Sequence, residues 1–244
     1  MGCGSRPHRS SSADAPLGPT AAHSTAATFF AASLCQALSA GAYTDAAAKR
    51  SAALLVATVS AVSTTLYASK AAGFTLLLPS RVPGRPVAVL RYLQWAFTTA
   101  CFIRLLAGLS PDGPATRALV RRTLLATVLL LAAGAAERLL PAPAAHAALA
   151  VSMGTFAQAL QGQVLLFRLG ARTLSLHTDR VALASLQRAT VATWALFPAG
   201  WALAEARVLG VRGEEVYFTA LDVCTKFGYA TFVLVAAFSF ANKG

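Results

Sequence analysis

Leu221-Asp222-Val223-Cys224-Thr225-Lys226-Phe227-Gly228 places an aspartate and a lysine inside an otherwise apolar segment from Val216 to Asn242. At about 27 residues, that segment is long enough to cross a bilayer as a helix. Side chains four residues apart share one helical face, roughly 6 Å apart along the axis. A charged side chain at that depth costs several kcal/mol unless it is paired or modified. The stretch therefore has two readings. It is a structural ion pair, or Lys226 carries a covalent chromophore with Asp222 as its counter-ion.

Composition sets the surroundings of this stretch. Of 244 residues, 56% are hydrophobic and only 12% charged, too little polar surface for an ordinary soluble protein. Apolar runs recur at helical length, which predicts an all-α, polytopic membrane bundle. The net charge of +12 raises nucleic acid as a partner. The arginines, however, fall in short breaks between apolar runs, as basic residues do in membrane proteins, so no nucleic-acid binding is expected. Cys35, Cys101 and Cys224 fall in predicted spans and Cys3 in the tail. None has metal-ligand spacing, and neither a zinc site nor a disulfide framework is expected.

Seven spans are predicted, over residues 25–44, 51–74, 87–109, 118–140, 144–168, 187–209 and 215–242. Short connections favour antiparallel neighbours in an up-down seven-transmembrane-helix bundle. Arg121, Arg122 and Arg138 press on the ends of the fourth span, where long side chains can snorkel. Pro79, Pro83 and Pro86 break the second connection, and Pro111 and Pro114 the third. The domain occupies 25–242. Residues 1–24, rich in Ser, Ala, Pro and Gly, form a tail expected to be disordered. Met1-Gly2-Cys3 hints at acylation, but Arg6 stands where the myristoylation pattern wants Ser or Thr. Lys49, Arg50, Arg117, Arg121, Arg122, Arg168, Arg172, Arg180, Arg188 and Lys243 fall on one side, against Arg6, Arg9, Arg81, Arg85, Arg138, Arg207 and Arg212 on the other. The positive-inside bias then puts the N-terminus outside and the C-terminus in the cytoplasm of an integral membrane protein.

Arg91, Gln94, Trp95, Thr98, Phe102 and Leu105 recur at helical spacing and make one seam of the third span. Trp194, Phe197, Pro198 and Trp201 make a comparable seam in the sixth. Such seams serve as helix packing or as the walls of a box for a flat, conjugated ligand anchored on a buried lysine.

Three motifs in order tie these pieces together. Arg91-Tyr92-x-x-Trp95-x-x-Thr98-Thr99, Trp194-x-x-Phe197-Pro198-x-x-Trp201 and Asp222-Val223-x-x-Lys226-x-Gly228 resemble the signatures of the third, sixth and seventh helices of microbial (type I) rhodopsins. The resemblance covers roughly residues 25–242. It implies all-trans retinal bound covalently to Lys226 as a protonated Schiff base, with Asp222 as counter-ion and Arg91 on its extracellular side. Trp95, Thr99, Trp194, Phe197 and Trp201 would enclose the polyene and ring, with Ser152 and Phe156 at the ring. Thr98 and Gln94 would border the Schiff-base region, and Tyr67 would hydrogen-bond the helix-seven aspartate. Leu149 stands where many members carry a tryptophan.

Departures from the family pattern bear on function. Gln94 replaces the aspartate that accepts the Schiff-base proton in outward proton pumps, and an amide cannot titrate. Leu105, beside Arg104, replaces the cytoplasmic donor carboxylate. Proton pumping thus lacks both stations, although Glu214 matches an extracellular glutamate of the release group and Glu205 lies near another. In the second span Ser60, Ser63, Tyr67 and Lys70 form a polar seam ending in a cation, with no acid between Asp45 and Asp112. Gln36, Gln158, Gln161 and Gln163 add neutral polar groups. Such a lining suits anions; the same residues serve equally as interhelical hydrogen bonds.

The expected function is therefore a light-gated ion channel conducting anions. The alternatives are a photosensory rhodopsin without transport, a light-driven chloride pump and, without retinal, a seven-span transporter with a structural Asp222–Lys226 pair. Expected partners are the lipid bilayer and small anions such as chloride, with a homo-oligomer left open. No enzymatic activity, catalytic set or fused cyclase or kinase is expected within these residues.

Overall fold

The computed structural model describes residues 21–42, 47–174 and 176–228. Seven α-helices follow in chain order: α1 (Ala21–Ala42), α2 (Ala47–Ala71), α3 (Val89–Ala107), α4 (Pro114–Leu139), α5 (Ala142–Thr173), α6 (His177–Glu205) and α7 (Val211–Asp222). The chain continues past α7 directly into a π-helical stretch, Val223–Gly228. The fold is the all-α, up-down bundle of seven helices that the apolar runs predict. Sequence neighbours pack side by side from α1 to α7, and α7 returns against α1 to close the ring.

Local chemistry sets the helix ends. α2 stops where Gly73 takes a left-handed conformation, φ 86°. The Gly73 amide donates to the Lys70 carbonyl and the Phe74 amide to the Ser69 carbonyl, which closes the last turn. Prolines occupy the first turns of α4 and α5, where a missing amide leaves no hydrogen bond unmade. The proline-broken connection after α2 forms a short antiparallel hairpin absent from the all-helical expectation. Its strands, β1 (Leu77–Leu78) and β2 (Val87–Ala88), pair Leu77 with Ala88 and Leu78 with Val87. Gly84, at φ 74°, permits the reversal between them.

Two boundaries differ from the sequence expectation. Helix continues to Thr173 and resumes at His177, so the 18-residue gap implied between 168 and 187 contracts to a short link. Hydropathy marks only the lipid-buried part of a helix, whereas Arg168, Arg172, Arg180 and Arg188 are good helix formers that carry it on into water. α1 begins at Ala21, so the end of the expected 1–24 disordered tail is helical. Alanines favour helix there, and the His23 ring is held 3.0 Å from Glu215. The remainder of that tail, residues 1–20, and the end of the seventh span, 229–242, lie outside the described residues.

The bundle is apolar outside and charged within. Leu54, Leu93, Leu125, Val128 and Val151 are each more than half exposed, while Arg91, Arg138, Glu137, Glu215, Asp222 and Lys226 are buried. A bilayer, not water, satisfies that distribution. Inside, the two ends differ. Where α2, α4 and α6 begin, Val56, Val59, Phe102, Ile103, Leu105, Leu106, Leu166, Phe167, Leu183 and Leu186 make one apolar core. At the other end, where α1, α3, α5 and α7 begin, acids and bases fill the interior.

Candidate functional site

Between these two ends, α3, α4, α5, α6 and α7 enclose a cavity. Its lining includes Trp95, Thr98, Thr99 and Phe102 from α3; Leu149, Ser152 and Phe156 from α5; Trp194, Phe197, Pro198 and Trp201 from α6; and Asp222 and Lys226. Residues of the third- and sixth-span seams, the α5 pair, and Asp222 and Lys226 therefore converge on one space. The rings interlock: Trp95 meets Phe197 edge-on at 5.1 Å and Phe218 at 5.4 Å between centroids. Ser152 Oγ donates to the Leu130 carbonyl at 3.2 Å, tying α5 to α4 beside the cavity.

Lys226 Nζ lies 2.6 Å from Asp222 Oδ1. Asp222 is 1% exposed and Lys226 4%. Tyr67 Oη donates to Asp222 Oδ2 at 2.6 Å, and Trp95 Nε1 donates to Oδ1 at 2.9 Å. Helices α2, α3 and α7 thus all position one carboxylate, which pins its charge beside the amine. The π-helical winding begins immediately after Asp222 and contains Lys226, a type of irregularity that recurs at functional sites.

Gln94 and Tyr67, with Ser60, Ser63 and Lys70, stand outside the cavity lining, on the side toward α1 and α2. Gln94 Nε2 donates to Ser63 Oγ at 3.2 Å, and Ser60 Oγ donates to Ser33 Oγ at 2.9 Å. Gln94 Oε1 is buried without a hydrogen-bond partner among the described residues. All four members of the α2 seam are buried, so the periodicity identified an inward face.

Lys70 at the end of that seam meets an acid that the sequence analysis did not single out. Glu215 Oε1 accepts from Lys70 Nζ at 2.6 Å and lies 3.0 Å from His23 Nε2, while Arg91 Nη2 donates to Oε2. A second cluster adjoins it. Glu214 is 2.9 Å from Arg85 Nη1 and 3.7 Å from Arg138 Nη2; Arg138 Nη1 also approaches Glu205 at 3.1 Å, and Arg81 bonds Glu137. Arg138 therefore turns inward over the Trp201 ring, 5.8 Å from its centroid, instead of snorkelling; Arg121 and Arg122 are exposed. Glu205 and Glu214 are paired with arginines, not merely solvated. Outside the membrane span, Arg81 has its pKa raised by its hydrogen bond to Glu137.

Glu215 and Phe218 were legible in principle. Glu215, Phe218, Asp222 and Lys226 follow i, i+3, i+7, i+11 spacing, one stripe of a single helix. His23 and Glu137 carry no such signal, because their partners Glu215 and Arg81 are remote in sequence.

Solved structures share this architecture. The transmembrane domain and linker region of Salpingoeca rosetta rhodopsin phosphodiesterase superposes with a TM-score of 0.78 at 23% identity, over 91% of this chain and 80% of that one. The light-driven proton pump LR (Mac) from Leptosphaeria maculans gives 0.74 at 20% identity, over 93% and 100%. The proton pumping rhodopsin AR2 from the marine alga Acetabularia acetabulum gives 0.76 at 18%, over 91% and 95%. At these identities the likeness speaks to fold alone. No curated protein gives a significant sequence match. The family profile described as bacteriorhodopsin-like protein matches residues 20–240, and that family binds retinal through a lysine Schiff base. With its seven helices, inward charges and lipid-facing apolar surface, the chain belongs to the bacteriorhodopsin-like protein family of integral membrane proteins.

Proposed function

We propose that this protein is a photoreceptor in which Lys226 carries all-trans retinal as a protonated Schiff base balanced by Asp222. The observation that carries this is the buried Lys226–Asp222 pair, 2.6 Å apart, at the wall of an aromatic cavity. The lining fits such a group: an amine to bond the aldehyde carbon, a carboxylate for the resulting charge, and ring faces for a flat polyene. When bound, retinal supplies the absorption of visible light and an isomerisation. Trp95, Trp194, Phe197 and Trp201 would restrict its orientation, Thr98 and Thr99 would border it from α3, and Ser152 and Phe156 would border it from α5. Tyr67 and Trp95 hold Asp222 in place through two hydrogen bonds.

The output that the arrangement supports best is a conformational signal. Gln94 cannot accept a proton, and Leu105 stands within an apolar core at the other end of the bundle. Residues of α6 and α7 line the cavity beside Lys226, so retinal held there would bear on both helices if its shape changed. A light-gated anion conductance is the second reading. It draws support from an acid-free run of polar side chains, Ser33 bonded to Ser60 and Ser63 bonded to Gln94. That run ends at the Lys70–Glu215 pair on one side and at the apolar core on the other, so both would have to part. A light-driven chloride pump shares the need for a neutral residue at position 94. The basic residues of the connections at the α1-start end are Arg81, Arg85, Arg138, Arg207 and Arg212, against the longer series from Lys49 to Arg188 at the other end. This distribution supports an extracellular N-terminus and a cytoplasmic C-terminus.

Lys226→Ala, supplied with retinal, should lose visible absorption; a retained visible band would overturn the chromophore assignment. Whole-cell recording under light, with external chloride exchanged, separates the outputs. No photocurrent alongside a complete photocycle is expected. A current reversing at the chloride potential would establish the channel, and one persisting against the gradient the pump.

A further inference from the structure

Four helices meet at Glu215. His23 from α1, Lys70 from α2 and Arg91 from α3 all direct nitrogen atoms at the carboxylate of a single α7 side chain. One oxygen takes Lys70 and His23 and the other takes Arg91, so three elements together build a complete anion cage. Glu215 and Lys70 are each 4% exposed at the side chain. Arg91 is further oriented by the faces of Phe218 and Trp95, 5.0 and 6.0 Å from its guanidinium carbon. Its Nη1 lies 4.0 Å from Glu214, whose carboxylate is already engaged by Arg85 and Arg138. Removing Glu215 would strip Lys70 and Arg91 of the carboxylate that both contact directly.

The cage also has an approach. A small cavity bounded by Thr75, Ala88 and Leu90 reaches His23, Lys70 and Glu215 from beneath the β1–β2 hairpin, and Thr75 and Leu76 at its rim are exposed. Glu215 is the carboxylate that α7, the helix that carries Asp222, places in the cage. A rotation or axial shift of α7 would therefore draw the carboxylate away from the nitrogen atoms that α1, α2 and α3 supply.

We propose that His23, Lys70 and Arg91 form an anion-binding site that Glu215 occupies as a tethered ligand, and that a small monovalent anion such as formate or chloride binds there when the carboxylate leaves. The site adjoins the retinal cavity, sharing Arg91 with its lining, and its test needs no chromophore.

Glu215→Ala empties the cage without filling it. The full-length variant in detergent is melted by circular dichroism in sodium formate, chloride or gluconate at equal ionic strength. Formate and chloride should raise its melting temperature over gluconate by about 5 °C, as expected for a ligand well above its Kd in a chain of this size. The wild type should show no difference, and Glu215→Ala combined with Lys70→Met should lose the effect. Should Glu215→Ala fold only in formate or chloride, that rescue also supports the site. Equal melting of Glu215→Ala in all three salts overturns the proposal. Failure to fold in every salt overturns it too, since an accessible cage would be refilled from solution.

Discussion

Asp222→Asn provides a direct measure of what holds the lysine in the bundle. Asp222 Oδ1 lies 2.6 Å from Lys226 Nζ and accepts from Trp95 Nε1, while Oδ2 accepts from Tyr67 Oη. In the asparagine variant the single carbonyl oxygen goes to the Oδ1 position, where two donors point. The amide nitrogen then faces Tyr67, whose hydroxyl can turn and accept. Hydrogen bonding thus survives, and the change is chiefly the loss of one negative charge. Breaking a buried pair by removing one partner costs about 3–5 kcal/mol, because the other charge is left uncompensated. For a chain of this size each kcal/mol moves the midpoint by about 2–4 °C. The retinal-free protein should therefore melt roughly 6–20 °C lower. The assay is thermal unfolding of the wild type, Asp222→Asn, Lys226→Met and the double variant. Removing the stranded lysine should restore much of the loss, giving a coupling energy well above 1 kcal/mol. A single-variant loss under about 1 kcal/mol, or additive effects of the two substitutions, would refute the idea that this pair is dry and mutually dependent.

Other consequences are more local. Gln94→Asp in the retinal-bound protein should move the absorption maximum to the blue, because a second carboxylate stabilises the positive charge at the Schiff base. An unchanged spectrum would place that side chain away from the chromophore. Tyr67→Phe removes one donor to a buried carboxylate and should cost about 1.5–3 kcal/mol in thermal or denaturant unfolding; a neutral result would mean that the 2.6 Å bond contributes nothing. Gly170→Ala should be destabilising by about 1–3 kcal/mol, because the added carbon would sit 2.9 Å from the Leu109 carbonyl oxygen, a backbone atom that cannot swing aside. An unchanged midpoint would show that α5 and the end of α3 do not pack this closely.

The sequence determined the seven helices, their order and the box around Lys226. Those features rest on period and length, which a chain in a bilayer must display locally: apolar runs set the spans, and a helical repeat sets which residues face inward. Arg91, Trp95 and Thr98 on one stripe, and Trp194, Phe197 and Trp201 on another, needed only the helical repeat to be placed together. Where each helix stops was less legible, because hydropathy ends at the lipid boundary while backbone hydrogen bonding does not. Only the tertiary structure decided the pairing of charges. Lys70 belongs to a polar seam that could line a path, yet its partner Glu215 lies 145 positions away, and His23 reaches the same carboxylate across 192. No local pattern encodes which acid meets which base. That choice follows from the closure of α7 against α1 and α2, which turns the cation at the end of the seam into one side of an occupied cage.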